Sequence, residues 1–253
     1  MTKALKYIAI IPARYASTRF PGKPLAMLGG KPVIQRVWEQ VSSVVDAAVV
    51  ATDDERIAQA VETFGGRAIM TSPNHKSGTD RCWEAYQKQG EEFDVVINVQ
   101  GDEPFIQPDQ IQALMECFPT EIATLVHPFT HKDTLADLQN PNYVKVAIAH
   151  ENNTTTIGRA MYFSRSVIPH LRGIAIEDWL RQGQHFRHIG MYAYRADILK
   201  QITEMTPSPL EQIECLEQLR WLENGLTIRI AKTNHASIGI DTPEDLEHAL
   251  TLI

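Results

Sequence analysis

The N-terminal half of the chain alternates short apolar runs with stretches whose apolar residues recur at helical spacing. The runs at 6–12, 47–52, 67–71 and 93–99 read as strands, and the last is apolar almost throughout, as expected of a strand covered on both faces. Helical patterns fill 32–44 and 55–64, and Gly65-Gly66 ends the second. This rhythm predicts an α/β fold with a mostly parallel sheet and right-handed crossovers.

The second half of the chain is less regular. Its patterns predict strands at 123–129, 144–149, 155–162, 188–195 and 226–232. They predict helices at 196–203, 207–225 and 241–253. The segment 165–184 has no clear period, and we expect an insertion that packs against a partner subunit. The sequence therefore predicts one domain over 1–253, with an insertion region at about 130–190.

Composition and charge exclude several classes of protein. A formal net charge of −7 argues against a nucleic-acid-binding protein, which is more often basic. The cysteines Cys82, Cys117 and Cys215 are far apart and form no C-x-x-C pair, so we expect packing residues in a reducing compartment. The apolar run at 7–12 is too short for a signal peptide or a membrane span, which predicts a cytoplasmic protein without a membrane partner.

The segment Ala13–Lys23 follows the first strand and carries Arg14, Arg19 and Lys23. From Ile11 to Trp38 there are five cations and no acidic residue, a local reversal of the sign of the chain's net charge. Small residues in this loop allow a close approach of the backbone, so the loop suits a polyphosphate. It matches neither a Walker P-loop nor a G-x-G-x-x-G turn. A solvated basic loop with turn prolines remains the alternative.

Two aspartates follow apolar runs, Asp102 after a predicted strand and Asp241 at the end of a short apolar run. Asp102 follows the buried strand at 93–99, where it suits a Mg²⁺ ligand, although Gly-Asp is also ordinary turn chemistry. Asp241 could be a second metal carboxylate. The residues after it, Thr242, Pro243 and Glu244, read as a standard helix start, and this pattern alone favours capping for Asp241. Thr52-Asp53 follows the second strand, at the same ligand-binding edge of such sheets.

The ordered set of motifs along the chain identifies a protein family more specifically than any single motif does. They are IPARYASTRFPGKPL, VATDDERI, SGTDR, NVQGDEP, YFSR, RHIGMYAYR, PSPLEQIECLEQLR and IDTPEDL. This set closely resembles the CMP-Kdo synthetases, the 3-deoxy-manno-octulosonate (Kdo) cytidylyltransferases. The first motif alone indicates only the wider group of sugar nucleotidyltransferases. The motifs RHIGMYAYR and PSPLEQIECLEQLR restrict the resemblance to the Kdo branch of that group. The similarity covers nearly the whole chain and is weakest at 171–184.

The resemblance implies a Rossmann-like nucleotidyltransferase sheet with helices on both faces, a smaller dimerisation insertion and a homodimer. It implies transfer of CMP from CTP to Kdo with Mg²⁺ as cofactor, and a product used in lipopolysaccharide synthesis. Asp102 and Asp241 look like the magnesium carboxylates, which for Asp241 reverses the capping interpretation. Together with Arg14 and Lys23, these two carboxylates are the catalytic residues that the resemblance implies.

The resemblance also assigns the binding residues. The triphosphate site looks like Ala13, Arg14, Ser17, Arg19 and Lys23. The part that recognises cytidine looks like Thr52, Asp53, Ser77, Gly78 and Thr79. The acid-sugar site looks like Arg81, Gln100, His188, Tyr192, Glu217 and Gln218.

Two alternatives stay open. The acceptor could be a related acid sugar, such as the 8-amino analogue of Kdo or a sialic acid, because a few polar side chains can decide between them. The chain could also be a catalytically silent nucleotide-binding protein, since a fold alone does not give a function. The presence of both carboxylates and all three loop cations argues against the silent protein.

Overall fold

The apolar runs of the sequence form strands in the computed structural model, which describes residues 4–151, 157–183 and 185–253. The strands are β1 (Tyr7–Ala13), β2 (Met27–Leu28), β3 (Lys31–Pro32), β4 (Ala47–Thr52), β5 (Arg67–Met70), β6 (Val95–Asn98), β7 (Ile122–Pro128), β8 (Lys145–His150), β9 (Ile157–Ser164), β10 (Phe186–Arg195) and β11 (Ile228–Lys232). Each predicted strand is confirmed within a few residues, and the short pair β2 and β3 is an addition. Thr155 and Thr156, at the start of the predicted strand at 155–162, lie outside the described residues.

The helical patterns form helices at nearly the predicted positions. The helices are α1 (Val33–Ser42), α2 (Glu55–Thr63), α3 (Gly78–Gln89), α4 (Pro108–Met115), α5 (Leu135–Gln139), α6 (Ala196–Thr203), α7 (Pro209–Glu214), α8 (Glu217–Glu223) and α9 (Pro243–Leu250). The sequence pattern does not predict α3, α4 or α5. In the described residues, no helix combines the length and apolar character that a bilayer span requires.

The described chain divides into two compact units. The first comprises Met1–Gln112, Ala193–Thr203 and Ser237–Ile253, and the second comprises Ala113–Tyr192 and Glu204–Ala236. This division differs from the predicted single domain with an insertion at about 130–190, because the second unit begins earlier and also takes in 204–236.

The first unit is built on parallel strands in the order β5-β4-β1-β6. Ile8, Ile10 and Ile11 in β1 are fully buried, which shows that both faces of this strand are covered. In the β1–β4 ladder Ala13 lies opposite Thr52, so these two strands reach the same carboxyl edge. The loops that follow β1 and β4 therefore start side by side.

The helices of the first unit follow from their apolar spacing and caps. The buried residues of α1 are Val33, Ile34, Val37 and Val41, which lie on one helical face. Helix α2 begins at the N-cap Asp54, whose carboxylate accepts from the backbone N–H of Arg56 at 3.0 Å. A small cluster of Leu28, Val33, Ile240 and Ala249 packs the β2–β3 hairpin against α9.

The second unit has mixed strand directions in the order β10-β7-β11-β9-β8. β7 pairs with β11 in parallel, whereas β9 pairs antiparallel with both β11 and β8. The segment at 165–184 contributes Trp179, which packs with Phe129 and Leu138. Part of the predicted insertion thus belongs to the core of its own unit, and its predicted contact with a partner subunit stays a prediction. Gln184 lies outside the described residues.

The prediction of one helix over 207–225 is wrong, because the chain breaks there into α7 and α8. Cys215, between them, adopts the left-handed conformation with φ of 53°. Arg165 stabilises the break by donating to the carbonyl oxygens of Glu214 at 2.7 Å and Cys215 at 3.2 Å. The Cys215 thiol is exposed, whereas Cys82 and Cys117 are buried, so the expectation of a packing role fails for Cys215.

Candidate active site

A cavity of about 330 Å³ opens in the first unit beyond the carboxyl ends of β1 and β6. Its walls come from the end of β1 and the loop after it, the start of α3, the loop after β6 and the segment before α9. The lining residues are Pro12, Ala13, Arg14, Ala16, Ser17, Thr18, Arg19, Lys23, Pro24, Ser77, Gly78, Arg81, Gln100, Gly101, Asp102 and Asp241. Segments far apart in the sequence thus meet at one edge of the parallel strands, where such folds bind ligands.

The loop after β1 is a tight structure closed by its own backbone. The carbonyl oxygen of Tyr15 accepts from the N–H groups of Ser17 and Gly22, both at 2.9 Å. Gly22 has φ of 74°, a conformation that favours glycine, and it leads into a 3-10 turn that begins with Lys23. Pro24 in this turn is buried and fixes the end of the loop. The backbone of Lys23 is therefore held in place while its side chain extends into the cavity.

Tyr15 and Arg56 brace this loop, and the sequence pattern gives no indication of either role. The guanidinium carbon of Arg56 lies 3.3 Å from the centroid of the Tyr15 ring. On Gly22, a β-carbon would come within 3.1 Å of the same ring. Arg56 also donates to the Asp54 carboxylate at 2.6 and 2.9 Å, so it connects the loop to the start of α2. The letters YAS and ERI offer no signal for this contact, because it depends on the adjacency of β1 and β4.

Asp102 is positioned by its neighbours on both sides. A β-carbon on Gly101 would lie 2.7 Å from the carbonyl oxygen of Pro12, so only glycine fits this close approach to β1. The carbonyl oxygen of Asp102 accepts from the N–H of Ile240 at 2.9 Å. That bond ties the loop after β6 to the segment before α9 and brings Asp241 to the same cavity.

Asp241 does not cap α9, which corrects the interpretation that the local pattern favours. The N-cap is Thr242, which forms a capping box with Asp245. At this helix end, Asp241 contributes its backbone N–H, which donates to the Asp245 carboxylate at 2.9 Å, and not its side chain. Because Thr242 satisfies the helix end, the Asp241 side chain is left to face the cavity.

The two aspartates and two loop cations form an ion network, which we define as Arg19, Lys23, Asp102 and Asp241. Lys23 Nζ lies 2.5 Å from Asp102 Oδ2 and 3.1 Å from Asp241 Oδ1. Arg19 Nη2 lies 3.1 Å from Asp241 Oδ2. Arg14 also lines the cavity, and in the described part of the chain it takes part in no ion pair. The structure thus brings together all the residues predicted for the metal and the three predicted loop cations.

The residues present fit a divalent cation. One positive charge, the Lys23 ammonium, contacts both carboxylates, which shows that their oxygens converge on one point. Carboxylate oxygens are the hard ligands that Mg²⁺ prefers, and Mg²⁺ usually takes only one or two of them, with waters and substrate phosphates completing the shell. Within the described residues no group of three or more metal-binding side chains occurs.

The residues predicted for the nucleoside lie at the ends of β4 and the start of α3. Thr52 is fully buried at the last position of β4. Ser77 is the N-cap of α3 and accepts from the N–H of Asp80 at 3.1 Å, and Gly78 is the first residue of this helix. Ser77 and Gly78 line the cavity, whereas Thr79 is buried. A helix N-terminus beside loop cations favours an anionic group.

Residues predicted for the sugar fall in both units. Gln100 and Arg81 line the cavity of the first unit. Arg81 is 1% exposed and donates to Asp53 Oδ2 at 2.9 Å and Thr71 Oγ1 at 2.5 Å, so its guanidinium is already engaged. His188, Tyr192, Glu217 and Gln218 belong to the second unit.

The second-unit residues form an aromatic and polar cluster. The His188 ring contacts the rings of Phe163 and Tyr192, at centroid distances of 5.1 and 5.3 Å. Thr124 donates to the carbonyl oxygen of Met191 at 2.8 Å, and its hydroxyl oxygen lies 3.0 Å from His188 Nε2. The sequence pattern gives no indication of Thr124. In the described residues the buried amide nitrogen of Gln218 has no hydrogen-bond partner, which leaves a donor for a ligand.

Burial keeps the His188 and Tyr192 side chains of this cluster neutral. It lowers the pKa of His188 to about 3, so the imidazole is uncharged at neutral pH. Burial, with a smaller contribution from the Glu217 carboxylate, raises the pKa of the Tyr192 hydroxyl well above its usual value. Glu217 itself accepts from Arg220 Nη2 at 2.9 Å. His188 and Tyr192 therefore offer neutral hydrogen-bonding groups rather than charged ones.

Comparison with known proteins gives close matches over the whole chain. A family model described as cytidylyltransferase matches residues 8–230. The chain is 58% identical over 248 residues to a 3-deoxy-manno-octulosonate cytidylyltransferase of Phocaeicola vulgatus, an alignment that covers 97% of this chain and 96% of that protein. It is 49% identical over 253 residues to the protein of that name from Thermodesulfovibrio yellowstonii, with 96% of each chain covered.

Solved structures are similar in fold. A CMP:2-keto-3-deoxy-manno-octonic acid synthetase in complex with CTP aligns with a TM-score of 0.86 and 41% identity, over 98% of both chains. A 4-diphosphocytidyl-2C-methyl-D-erythritol synthase from Anaerococcus prevotii aligns with a TM-score of 0.60 and 13% identity, over 98% of both chains, which shows a shared fold alone.

Proposed function

Because this chain belongs to the 3-deoxy-manno-octulosonate cytidylyltransferases within the cytidylyltransferase family, we propose that it transfers CMP from CTP to the anomeric hydroxyl of Kdo. The hydroxyl oxygen attacks the α-phosphorus of CTP and releases its proton. The bond from the α-phosphorus to the bridging oxygen breaks, and pyrophosphate leaves. The resemblance seen in the sequence motifs is thereby confirmed at the level of the family.

The convergence of two carboxylates and three cations on one cavity carries this proposal. The reaction joins two anions, a triphosphate and a sugar carboxylate. Like unit charges about 4 Å apart repel by roughly 4 kcal/mol at an effective dielectric constant near 20. A site for this reaction must therefore supply positive charge on one side and hold a metal on the other. The three loop cations support the first part of this proposal, and the convergence of Asp102 and Asp241 supports the second.

The loop cations and the carboxylates have separate tasks in this proposal. Arg14 and Arg19 bind phosphate oxygens through forked guanidinium groups, and Lys23 acts as a point charge on the departing pyrophosphate. Asp102 and Asp241 are the residues that would hold Mg²⁺. When bound there, Mg²⁺ supplies Lewis-acid stabilisation of the phosphate charge and lowers the pKa of the attacking hydroxyl. The protein itself contributes mainly positioning and preorganised charge.

Substrate recognition uses the remaining predicted residues. The end of β4 and the start of α3 bind cytidine, with Ala13 and Ser17 beside the phosphates. Gln100 in the first unit is a predicted sugar-binding residue. Within the second unit, neutral His188, Tyr192 and Gln218 suit hydrogen bonds to hydroxyl groups of a sugar. Burial of the His188 imidazole supports this role, because a neutral ring distinguishes hydroxyl groups by geometry rather than by charge.

The proposal also includes a Rossmann-like sheet with helices on both faces, a homodimer made through the insertion region, and a cytoplasmic location. The parallel order β5-β4-β1-β6 supports the first part. The buried free thiols of Cys82 and Cys117 agree with a reducing compartment. Sedimentation equilibrium of the purified protein tests the dimer.

Pyrophosphate release by the purified protein tests the function. The reaction contains Mg²⁺, CTP and Kdo, and controls omit the sugar, replace CTP by other nucleotides, or replace Kdo by its 8-amino analogue or a sialic acid. Release that requires both CTP and Kdo is the expected result. Release only with another acid sugar would change the acceptor, and CTP binding without release under any condition would favour the silent nucleotide-binding protein.

A further inference from the structure

The four side chains of the ion network neutralise one another's charges. Lys23 contacts both carboxylates, and the two oxygens of Asp241 are shared between Lys23 and Arg19. Two positive side chains thus neutralise two negative ones. The Lys23 side chain is only 11% exposed, so its pairing is shielded from solvent, whereas the Arg19 side chain is 66% exposed.

The same four groups are those that the two ligands require. The carboxylates that would hold a divalent cation are occupied by Lys23 and Arg19, and two of the three cations that would bind the triphosphate are occupied by the carboxylates. A divalent cation at the point where the oxygens of Asp102 and Asp241 converge excludes the Lys23 ammonium, since both take the same oxygens and repel each other. Binding of either ligand therefore requires the network to open.

We propose that Lys23 is an exchangeable internal counter-ion, whose ammonium occupies the position between Asp102 and Asp241 until a divalent cation replaces it and releases it to the triphosphate. This inference rests on the proposed function. When Lys23 leaves, the carboxylates become available to the metal and the ammonium becomes available to the triphosphate. Once one ligand has opened the network, the second ligand binds without that free-energy cost. Metal and nucleotide therefore favour each other's binding, and the coupling is reciprocal.

The backbone around the network suits such an exchange. Lys23 is held by the 3-10 turn that follows Gly22, so only its long side chain has to move. The carboxylates stay together when it leaves, because the N–H of Ile240 is bonded to the carbonyl oxygen of Asp102. The site for the cation is therefore maintained by the backbone and not by the lysine.

Metal binding to the free protein tests the exchange. Titration with Mn²⁺ alone, followed by calorimetry or by the electron paramagnetic resonance signal of free Mn²⁺, compares the unsubstituted protein with Lys23→Met. Lys23→Gln, which keeps a polar side chain, serves as a second variant. Arg14→Met is the matched control, because it removes one positive charge from the same cavity without touching either carboxylate.

The expected result is that both Lys23 variants bind Mn²⁺ at least about fivefold more tightly than the unsubstituted protein, while Arg14→Met changes the affinity little. Equal gains in Lys23→Met and Arg14→Met would show a general effect of charge and overturn the proposal. Unchanged affinity in the Lys23 variants would overturn it as well.

Nucleotide binding without metal provides an independent test. CTP affinity is measured in EDTA for the unsubstituted protein, Asp102→Asn, Lys23→Met and the double variant. We expect Asp102→Asn to bind CTP more tightly, because it loosens Lys23, and we expect this gain to disappear when Lys23 is also replaced. A gain of the same size in both backgrounds would reflect only reduced repulsion of the triphosphate and would contradict the exchange.

The triple variant Lys23→Met with Asp102→Asn and Asp241→Asn separates this inference from the proposed function. Mn²⁺ binding that survives in the triple variant would show that the carboxylates are not the metal ligands, so the metal assignment and the exchange would both fail. Mn²⁺ binding that is lost there, yet does not respond to Lys23 alone, would overturn the exchange and leave the proposed function intact.

Discussion

Arg81 donates from Nη2 to Asp53 Oδ2 at 2.9 Å, and the two side chains are only 1% and 14% exposed. The resemblance to known sequences implies a sugar-binding role for Arg81 and a nucleotide-binding role for Asp53. Their pairing connects α3 to the loop after β4, and Arg81 Nη1 adds a bond to Thr71 Oγ1 after β5. Arg81 thus holds together the edge of the sheet that carries the residues predicted to recognise cytidine.

Replacement of Arg81 should therefore destabilise the protein. Arg81→Met leaves the largely buried Asp53 carboxylate without its guanidinium partner, and we expect a loss of about 3–5 kcal/mol in the free energy of unfolding, measured with urea. Arg195→Met is the control, since it removes an exposed pair with Asp197 and should cost less than about 1 kcal/mol. Normal stability of Arg81→Met with a raised KM for Kdo would instead support direct sugar binding.

Asp102→Asn should abolish most catalysis without unfolding the protein. It keeps the shape of the side chain and removes the negative charge that a metal requires. We expect turnover to fall by at least about 100-fold in the pyrophosphate-release assay, with an unchanged circular dichroism spectrum. Asp197→Asn makes the same chemical change at an exposed position and should retain activity. Near-normal turnover of Asp102→Asn would show that the metal assignment is wrong.

Arg56→Ala should weaken CTP binding although Arg56 does not line the cavity. Loss of the guanidinium beside Tyr15 loosens the loop that carries Arg14, Arg19 and Lys23. We expect a few-fold rise in the KM for CTP and little change in the KM for Kdo. Tyr15→Leu should have the same effect, Tyr15→Phe should not, and Arg56→Ala with Tyr15→Leu should be no worse than either alone. Additive effects would mean that the two residues act separately.

Gly101→Ala should displace Asp102. The new β-carbon would overlap the carbonyl oxygen of Pro12, which belongs to the backbone of β1 and cannot easily move. We expect a loss of about 1–3 kcal/mol in stability together with reduced turnover. Gly190→Ala is the control, because a β-carbon there meets no atom within 4 Å. If Gly101→Ala matched that control in both measurements, the close approach of the two loops would be unimportant.

Stability should fall on acidification, and His188 should account for the first part of the fall. Its pKa is lowered from 6.5 to about 3 by burial, so between these values the unfolded chain binds a proton that the folded protein does not. Stability is then present above pH 6.5 and is lost as the pH falls toward 3, at up to about 1.4 kcal/mol per pH unit. Burial also lowers the pKa of His185, which acts in the same direction.

His188→Gln isolates this contribution. Burial opposes ionisation of Glu84, but bonds from Lys88, Ser72 N–H and His75 outweigh it and lower its pKa from 4.5 to about 2, so Glu84 contributes only below pH 4.5. Between pH 6.5 and 4.5 the variant should show a shallower loss of unfolding free energy than the unsubstituted protein. Identical slopes would mean that His188 is protonated in the folded state.

The apolar pattern of the sequence determines most of the individual elements. Strands β1, β4 and β6 are apolar runs, and α1 and α6 repeat apolar residues at helical spacing, so local chemistry specifies them without tertiary context. The break at Cys215 is different. Its neighbours all favour a helix, and the left-handed turn is stabilised by Arg165 from another part of the chain. No local pattern contains that information.

The sequence alone indicated which residues could carry chemistry, because cations and carboxylates directly after strands reach the ligand-binding edge of a parallel sheet. Only the tertiary structure decided what they contact. The local sequence around Asp241 is that of a helix start. In the structure Thr242 caps the helix, and the Asp241 carboxylate instead accepts from Lys23, which is 218 residues away in the chain. Capping follows from neighbours in sequence, whereas the ion network exists only because the bond from Ile240 to Asp102 brings two distant loops together.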